Sequence, residues 1–193
     1  GGGESGYRLA RIAGHTIVPP CPALVPLIAR EDWPGTLAGL TLPRVAIRLA
    51  PCVGNPDAPK VADVVPGSLL FTHKGISGPV ALDISGRVAR GLMTRDSVTI
   101  LIDLFPDQTS DEWHSQIGKS RKNHGARAVL SLLRSLLPTA LAQVVLDLAG
   151  LPSSVRIAEL SRATGNALLE KIKSLPLTIT RTEGFGKAMA AQG

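Results

Sequence analysis

The chain has 193 residues, 44% of them hydrophobic, enough for one domain or two small ones with a buried core. No charge-free run of about 18 apolar residues occurs, which excludes a membrane-spanning helix, and Gly1-Gly2-Gly3-Glu4-Ser5-Gly6 lacks the regions of a signal peptide. The net charge of +6 and a pI near 9.8 bring a polyanionic partner into consideration, while an aromatic content of only 3% argues against a stacking groove for single strands.

In chain order, residues 6–13 place Leu9, Ile12 and Ala13 at helical spacing, with Gly14 as a C-cap and His15 placed to satisfy a terminal carbonyl. Thr16-Ile17-Val18 and the run from Ala23 to Ile28 are short apolar segments broken by prolines, as in edge strands or barrel corners. From Leu42 to Leu49 the pattern alternates, with Val45, Ile47 and Leu49 on one face of a half-buried strand. Residues 51–66 carry four prolines, Gly54 and Asn55 and read as a loop or wide hairpin. Leu69 to Thr72 is a strand, the glycines and proline of 75–79 make a turn, and Pro79 to about Leu92 is a helix with Ser77 as its N-cap. Ser97 to Leu104, β-branched and apolar, is the strongest strand signal.

After Phe105-Pro106-Asp107 the chain turns helical for about seventy residues. Thr109-Ser110-Asp111-Glu112 signals a helix start, a hydroxyl cap followed by acids. Apolar stripes follow at Val129–Leu137, at Leu141, Val144, Val145 and Leu148, and from Ile157 through Leu160, Leu168 and Leu169 to Ile172. Strand texture returns at Leu177–Thr180, Glu183-Gly184 turns, and Phe185–Met189 makes a last short strand. The fold class is therefore α+β: a β-domain interrupted by an inserted helical bundle, with no repeat and no alternating βαβ rhythm. The expected division is 1–14 as a flanking helix or linker, 15–105 plus 174–193 as the split β-domain, and 106–173 as the bundle.

Little catalytic chemistry is legible. Gly1 to Gly6 matches G-x-G-x-x-G, but no strand leads into it, so it reads as a linker rather than a dinucleotide site. Gly75-Ile76-Ser77-Gly78 misses the nucleophile elbow by one residue and lacks a base beside it. His15, His73, His114 and His124 form no metal-ligand spacing; His114 and His124 read as surface groups, and His73 divides between capping and ligand contact. Cys21 and Cys52 read as reduced thiols of a cytoplasmic protein. Asp103 reads as the anchor of a turn at a strand end. Lys119-Ser120-Arg121-Lys122-Asn123-His124, with Arg127 and Arg134 beyond, reads as a solvated helix face and its loop. The strand that delivers Thr72 and His73 into a glycine-rich turn before a helix is the best candidate for a ligand-facing edge, with the backbone N–H groups of Gly75, Ile76, Ser77 and Gly78 facing outward.

Three segments, Gly14–Leu27, Leu69–Pro79 and Ile102–Asp107, in this order and with Gly184–Ala188 near the end, resemble the BaiN-like, aminoacetone-oxidase-like flavoproteins. The resemblance implies an FAD-binding Rossmann domain interrupted by an insert, a translation-factor-like barrel that itself carries a helical bundle. It places Thr72–Pro79 toward the flavin and substrate. The family's dinucleotide strand and turn are not found here, so the chain reads as an excised insert: the substrate side of an FAD-dependent oxidoreductase, not catalytically complete alone. FAD belongs to the intact parent and none is expected on this chain. The expected partners are the FAD-binding Rossmann domain of the same parent and a small-molecule substrate, with no membrane and no nucleic acid. The rival reading is a basic nucleic-acid or ribosome-associated binding module.

Overall fold

The computed structural model describes residues 4–51 and 64–192; Gly1 to Gly3, Cys52 and most of the loop expected over 51–66 lie outside the described residues. Six antiparallel strands close into a barrel. In barrel order they are β2 (Leu27–Ala29), β5 (Gly75–Ser77), β4 (Val65–Thr72), β3 (Thr41–Leu49), β6 (Val98–Asp103) and β7 (Leu175–Thr182), with β7 returning to β2. The interior follows from the pleat, because alternate side chains of a strand share a face. Val45 and Ile47 of β3, Ile100 and Ile102 of β6, and Leu175, Leu177 and Ile179 of β7 are fully buried and meet Leu69, Phe71 and Ile76. Each such side chain contributes about 1.5–3 kcal/mol by leaving water.

Closure needs help where the strands are short. The β2–β7 register shifts between Ile28 and Ala29, with Thr180 as the extra residue on β7, and near it the Thr178 N–H meets the Glu31 carboxylate at 3.0 and 3.1 Å. The Thr178 carbonyl in turn accepts the Arg30 N–H at 2.8 Å. Glu31→Ala is therefore expected to cost about 1–3 kcal/mol, read as a lower denaturant midpoint at unchanged slope; Glu31→Gln keeps an acceptor and loses less.

Helix α3 (Pro79–Leu92) touches five of the six barrel strands and so plugs one mouth, burying Val80, Ala81, Ile84 and Val88. Its N-cap is Gly78, at φ +87°, with no side-chain capping bond, which corrects the expectation for Ser77. Ser77 is instead the last residue of β5. Buried Ser85 on α3 donates to the Leu82 carbonyl (2.7 Å) and accepts the Val25 N–H (3.1 Å), fastening the chain between β1 (Cys21–Ala23) and β2 to the plug.

The helical block leaves the barrel after β6 and returns at β7. Its helices are α4 (Ser110–His124), α5 (Val129–Arg134), α6 (Thr139–Leu148) and α7 (Arg162–Lys173). Thr109 and Glu112 form a reciprocal capping box at the start of α4, at 3.2 and 2.7 Å. The third apolar stripe spans two elements rather than one. Ile157 and Leu160 belong to a 3₁₀ turn (Ile157–Glu159) and its exit, and Ser161 then caps α7. Trp113, Leu133, Leu141, Val145, Leu146, Leu168 and Ile172 join the barrel interior in one continuous core.

Two further expectations are corrected. Thr16–Val18 forms no strand; the first strand is β1, which starts at Cys21. Phe185–Met189 also forms no strand: residues 185–187 turn, and the last strand is β8 (Ala190–Gln192), paired with β1. α1 (Glu4–Ile12) ends as expected at Gly14, φ +87°, whose N–H reaches the Arg11 carbonyl at 3.0 Å. The Ala10 carbonyl is satisfied by the His15 backbone N–H at 2.9 Å, not by its imidazole. Among the described residues no helix is long and apolar enough to cross a membrane.

Candidate functional site

The Thr72–Gly78 stretch is a hairpin rather than an open turn. Thr72 pairs with Gly75, Phe71 with Ile76 and Leu70 with Ser77, leaving His73 and Lys74 as a two-residue tip. β5 is flanked on its other side by β2, where Leu27 pairs with Ile76 and Ile28 with Gly75. An interior strand commits its N–H groups to its two neighbours. The expectation that Gly75, Ile76 and Ser77 present free N–H groups is thereby corrected. The physical reason is that Gly75 serves a close approach of backbones: a Cβ there would meet the Leu27 carbonyl oxygen at 2.2 Å.

The six expected residues thus separate. His73 is exposed and Thr72 half-buried at the outer end of the hairpin, with exposed Lys74 beside them. Gly75 and Ile76 are buried, Ile76 completely. Ser77 and Gly78 sit half-buried at the base, where α3 begins. α2 (Trp33–Thr36) lies against the hairpin: the Trp33 ring is 5.8 Å from Phe71, and Gly35 is held so near the His73 carbonyl that a Cβ would reach it at 2.9 Å. The tip is consequently a rigid projection of Thr72, His73 and Lys74. The Trp33 indole N–H is buried beneath it without an acceptor.

A second surface was not legible. Cys21 and Gln192 are register partners, and Met189 donates its N–H to the Leu24 carbonyl at 3.2 Å. Leu24 holds φ +50°, and around this small sheet Val18 (62%), Phe185 (57%) and Met189 (74%) stand in solvent. On α1, Leu9 and Ile12 are likewise 66% and 75% exposed. Its helical apolar face therefore has no cover. Sequence periodicity found the α1 face but gave no sign of what it would pack against.

A groove of about 340 Å³ separates barrel from bundle, lined by Leu42, Pro43, Leu104, Phe105, Leu136 and Pro138. The bulge at Pro43 and Arg44, where proline has no N–H for the ladder, turns Arg44 outward to clamp Asp107 through two bonds of 2.6 and 2.7 Å. The Arg44 hydrogen bonds hold the Asp107 carboxyl below the usual carboxylate range, and the Thr109 backbone N–H does the same for Glu112. Because both are lowered in the folded state, their stabilisation is present at neutral pH and is lost as pH falls through and below the ordinary carboxylate range. Acidification is expected to lower Tm, and Asp107→Asn together with Glu112→Gln should flatten that fall; an unchanged slope would refute the assignment. Among the described residues no three metal-ligating side chains cluster, and His15, His114 and His124 are all exposed.

The profile named HI0933-like protein barrel and H2TH domain matches residues 21–190. A 3-dehydro-bile acid delta(4,6)-reductase of Clostridium scindens is 29% identical over 197 residues, covering 100% of this chain and 46% of that protein. Ribosomal RNA dihydrouridine synthases of Haemophilus influenzae and Escherichia coli are 27% and 25% identical, covering 97% and 100% of this chain and 42% and 44% of theirs. The chain spans less than half the length of these curated relatives.

Proposed function

The chain belongs to the HI0933-like barrel and H2TH domain family, and on that premise we propose that it is the substrate-side insert of an FAD-dependent oxidoreductase. The observation that carries this reading is the pairing of Cys21 with Gln192 beside an uncovered apolar surface. A domain inserted into another must let the chain enter and leave at one place, and must present apolar surface there to its host. The exposed side chains of Leu24, Phe185 and Met189 fit that requirement, with the FAD-binding Rossmann domain of the same parent as the host.

FAD does not fit the described residues by themselves. The barrel is antiparallel throughout and offers no crevice at the carboxyl ends of parallel strands, where such dinucleotides bind. The host would hold the flavin, and the flavin would supply the redox chemistry. This chain would shape and dry the substrate cleft, with Thr72, His73 and Lys74 as the residues that reach into it. The relatives are named as a reductase and as dihydrouridine synthases, and the reduction those names share is what we carry to this chain.

The test uses the full-length parent protein with FAD bound. His73→Ala is expected to lower kcat/KM for the substrate at least about tenfold, roughly 1.4 kcal/mol of transition-state stabilisation, at unchanged flavin content. Phe185→Asp is expected instead to weaken docking of the insert, read as increased proteolysis at its junctions. An unchanged kcat/KM in His73→Ala would remove the hairpin tip from the cleft.

A further inference from the structure

The groove between barrel and bundle suits an occupant of one kind. Its floor belongs to the core, since Leu42, Leu104 and Leu137 are buried. Half-buried Phe105 and Leu136 join them, and the Phe105 ring is itself held edge-on to buried Trp113 at 5.0 Å. The volume of about 340 Å³ falls within the range of small-molecule sites.

The lining leaves a polar occupant little to bind. Pro43, Pro106 and Pro138 have no N–H to give. The N–H groups of Leu104 and Phe105 are taken by the Ile172 carbonyl and the Asp103 carboxylate, both at 3.0 Å. Those of Gln108, Leu136 and Leu137 are taken by the Phe105 carbonyl and, twice, by the Leu133 carbonyl, at 3.1, 3.0 and 2.8 Å. The Phe105 and Gln108 carbonyls accept Lys173 Nζ. Among the described residues of the lining, the charged side chains are Arg44 and Asp107, and they are spent on each other in a bidentate pair. An ion entering here would give up water and gain no counter-charge. Hydrocarbon surface would gain by leaving water and lose nothing.

Topology sets this groove beside the hairpin tip. Thr41, which lines the groove, is the register partner of Leu70, and Thr72 follows two residues further along β4, about 7 Å at the rise of a strand. β6 ends at Asp103 opposite Ala46, so Leu104 and Phe105 leave the barrel toward that same end. Tip and groove therefore open together, on two strands bonded to each other.

We propose that the groove holds the non-reacting body of the substrate, and that this body is an uncharged, mainly hydrocarbon ring system. The inference rests on the reading of the hairpin tip as part of the substrate cleft, and it names the class of molecule that cleft takes. Phe105 from the joint and Leu136 from the turn before α6 set the shape that is accepted. A charged body of the same size is refused, because the fixed charges beside it are already neutralised.

The experiment compares two probes built on the same rings, uncharged N-phenylnaphthylamine and its anionic relative anilinonaphthalene sulfonate. Titrated into this chain, the neutral probe is expected to bind saturably, and the sulfonate at least about tenfold more weakly. Amide NMR shifts on adding the neutral probe should centre on Leu42, Phe105 and Leu136. Leu136→Arg should weaken its binding at least about tenfold, whereas Phe185→Asp with Met189→Asp, on the exposed apolar surface, should bind like the wild type. In the full-length parent with FAD bound, the neutral probe at about ten times its Kd should raise KM about tenfold and leave kcat unchanged. Equal affinity for the sulfonate, equal binding by Leu136→Arg, shifts centred on Val18, Phe185 or Met189, or an unchanged KM would each overturn the proposal. An unchanged KM beside groove-centred shifts would strike this inference alone, because the tip is tested separately by His73→Ala.

Discussion

Replacing Gly75 by alanine is expected to lower the free energy of unfolding by about 3 kcal/mol or more, a fall in Tm of roughly 6–12 °C for a chain of this size. The cause is geometric. A methyl group at Gly75 would lie 2.2 Å from the Leu27 carbonyl oxygen and 2.8 Å from the Ala29 nitrogen. Both obstacles are backbone, so no rotamer change relieves them, and β2 must move. The seam it would leave is held by two register pairs, Leu27 with Ile76 and Ile28 with Gly75. β2 also closes the barrel against β7, so its displacement exposes the interior at two seams. Gly118→Ala is the matched control: it sits inside α4 with nothing within 4 Å of the added carbon. There alanine should stabilise by about 0.5–1 kcal/mol, because it reduces the freedom of the unfolded chain. Opposite signs from the same substitution, measured by denaturant unfolding, isolate the contact. If Gly75→Ala were as harmless as Gly118→Ala, the β2–β5 seam described above would be wrong.

That glycine also shows where a sequence stops being informative. Gly75 and Gly78 read as turn residues because local composition cannot distinguish a turn from a backbone approach 48 residues away. Only the close contact with Leu27 separates them. The long strands were legible for the opposite reason: β3, β6 and β7 carry enough alternating branched and apolar residues to announce one buried face. Thr109 and Glu112 were legible because a capping box is a local device. β1 and β8 were not, since three-residue strands containing Cys-Pro-Ala or Ala-Ala-Gln carry no period. That an apolar strand ends at Thr72 was legible; that the chain folds straight back into a hairpin with His73 and Lys74 at its tip was not, because the pairing of β4 with β5 leaves no local pattern. The exposed pair Phe185 and Met189 was missed, because their exposure depends on the pairing of the chain's two ends.

The joint between barrel and bundle was equally hidden, and it carries the second large prediction. Lys173 Nζ lies 2.6 Å from Asp103 Oδ2, 2.7 Å from the Phe105 carbonyl and 2.6 Å from the Gln108 carbonyl. An ammonium has three protons, and all three are used. Asp103 also accepts the Phe105 N–H at 3.0 Å, which is the turn-anchoring role expected of it; its partner 70 residues away was not foreseeable. The Leu104 N–H reaches the Ile172 carbonyl at 3.0 Å, so the exit from β6 is stitched to the last turn of α7. These bonds clamp the bundle at the two points where it joins the barrel. The Lys173 and Asp103 side chains are only 17% and 24% exposed. Lys173→Met should therefore cost about 2–4 kcal/mol, since it strands a shielded carboxylate and two carbonyls. Lys173→Arg should rescue it poorly, because a planar fork cannot meet three acceptors arranged around a point. A double-mutant cycle with Asp103→Asn should give a coupling of about 1–2 kcal/mol. Hydrogen exchange should quicken at the start of α4 and the end of α7 while β3 and β6 stay protected, because the clamp orients the bundle and the strands close the barrel without it. Uniform loss of protection would instead make barrel and bundle a single cooperative unit, in which Lys173 merely covers apolar surface with its stem.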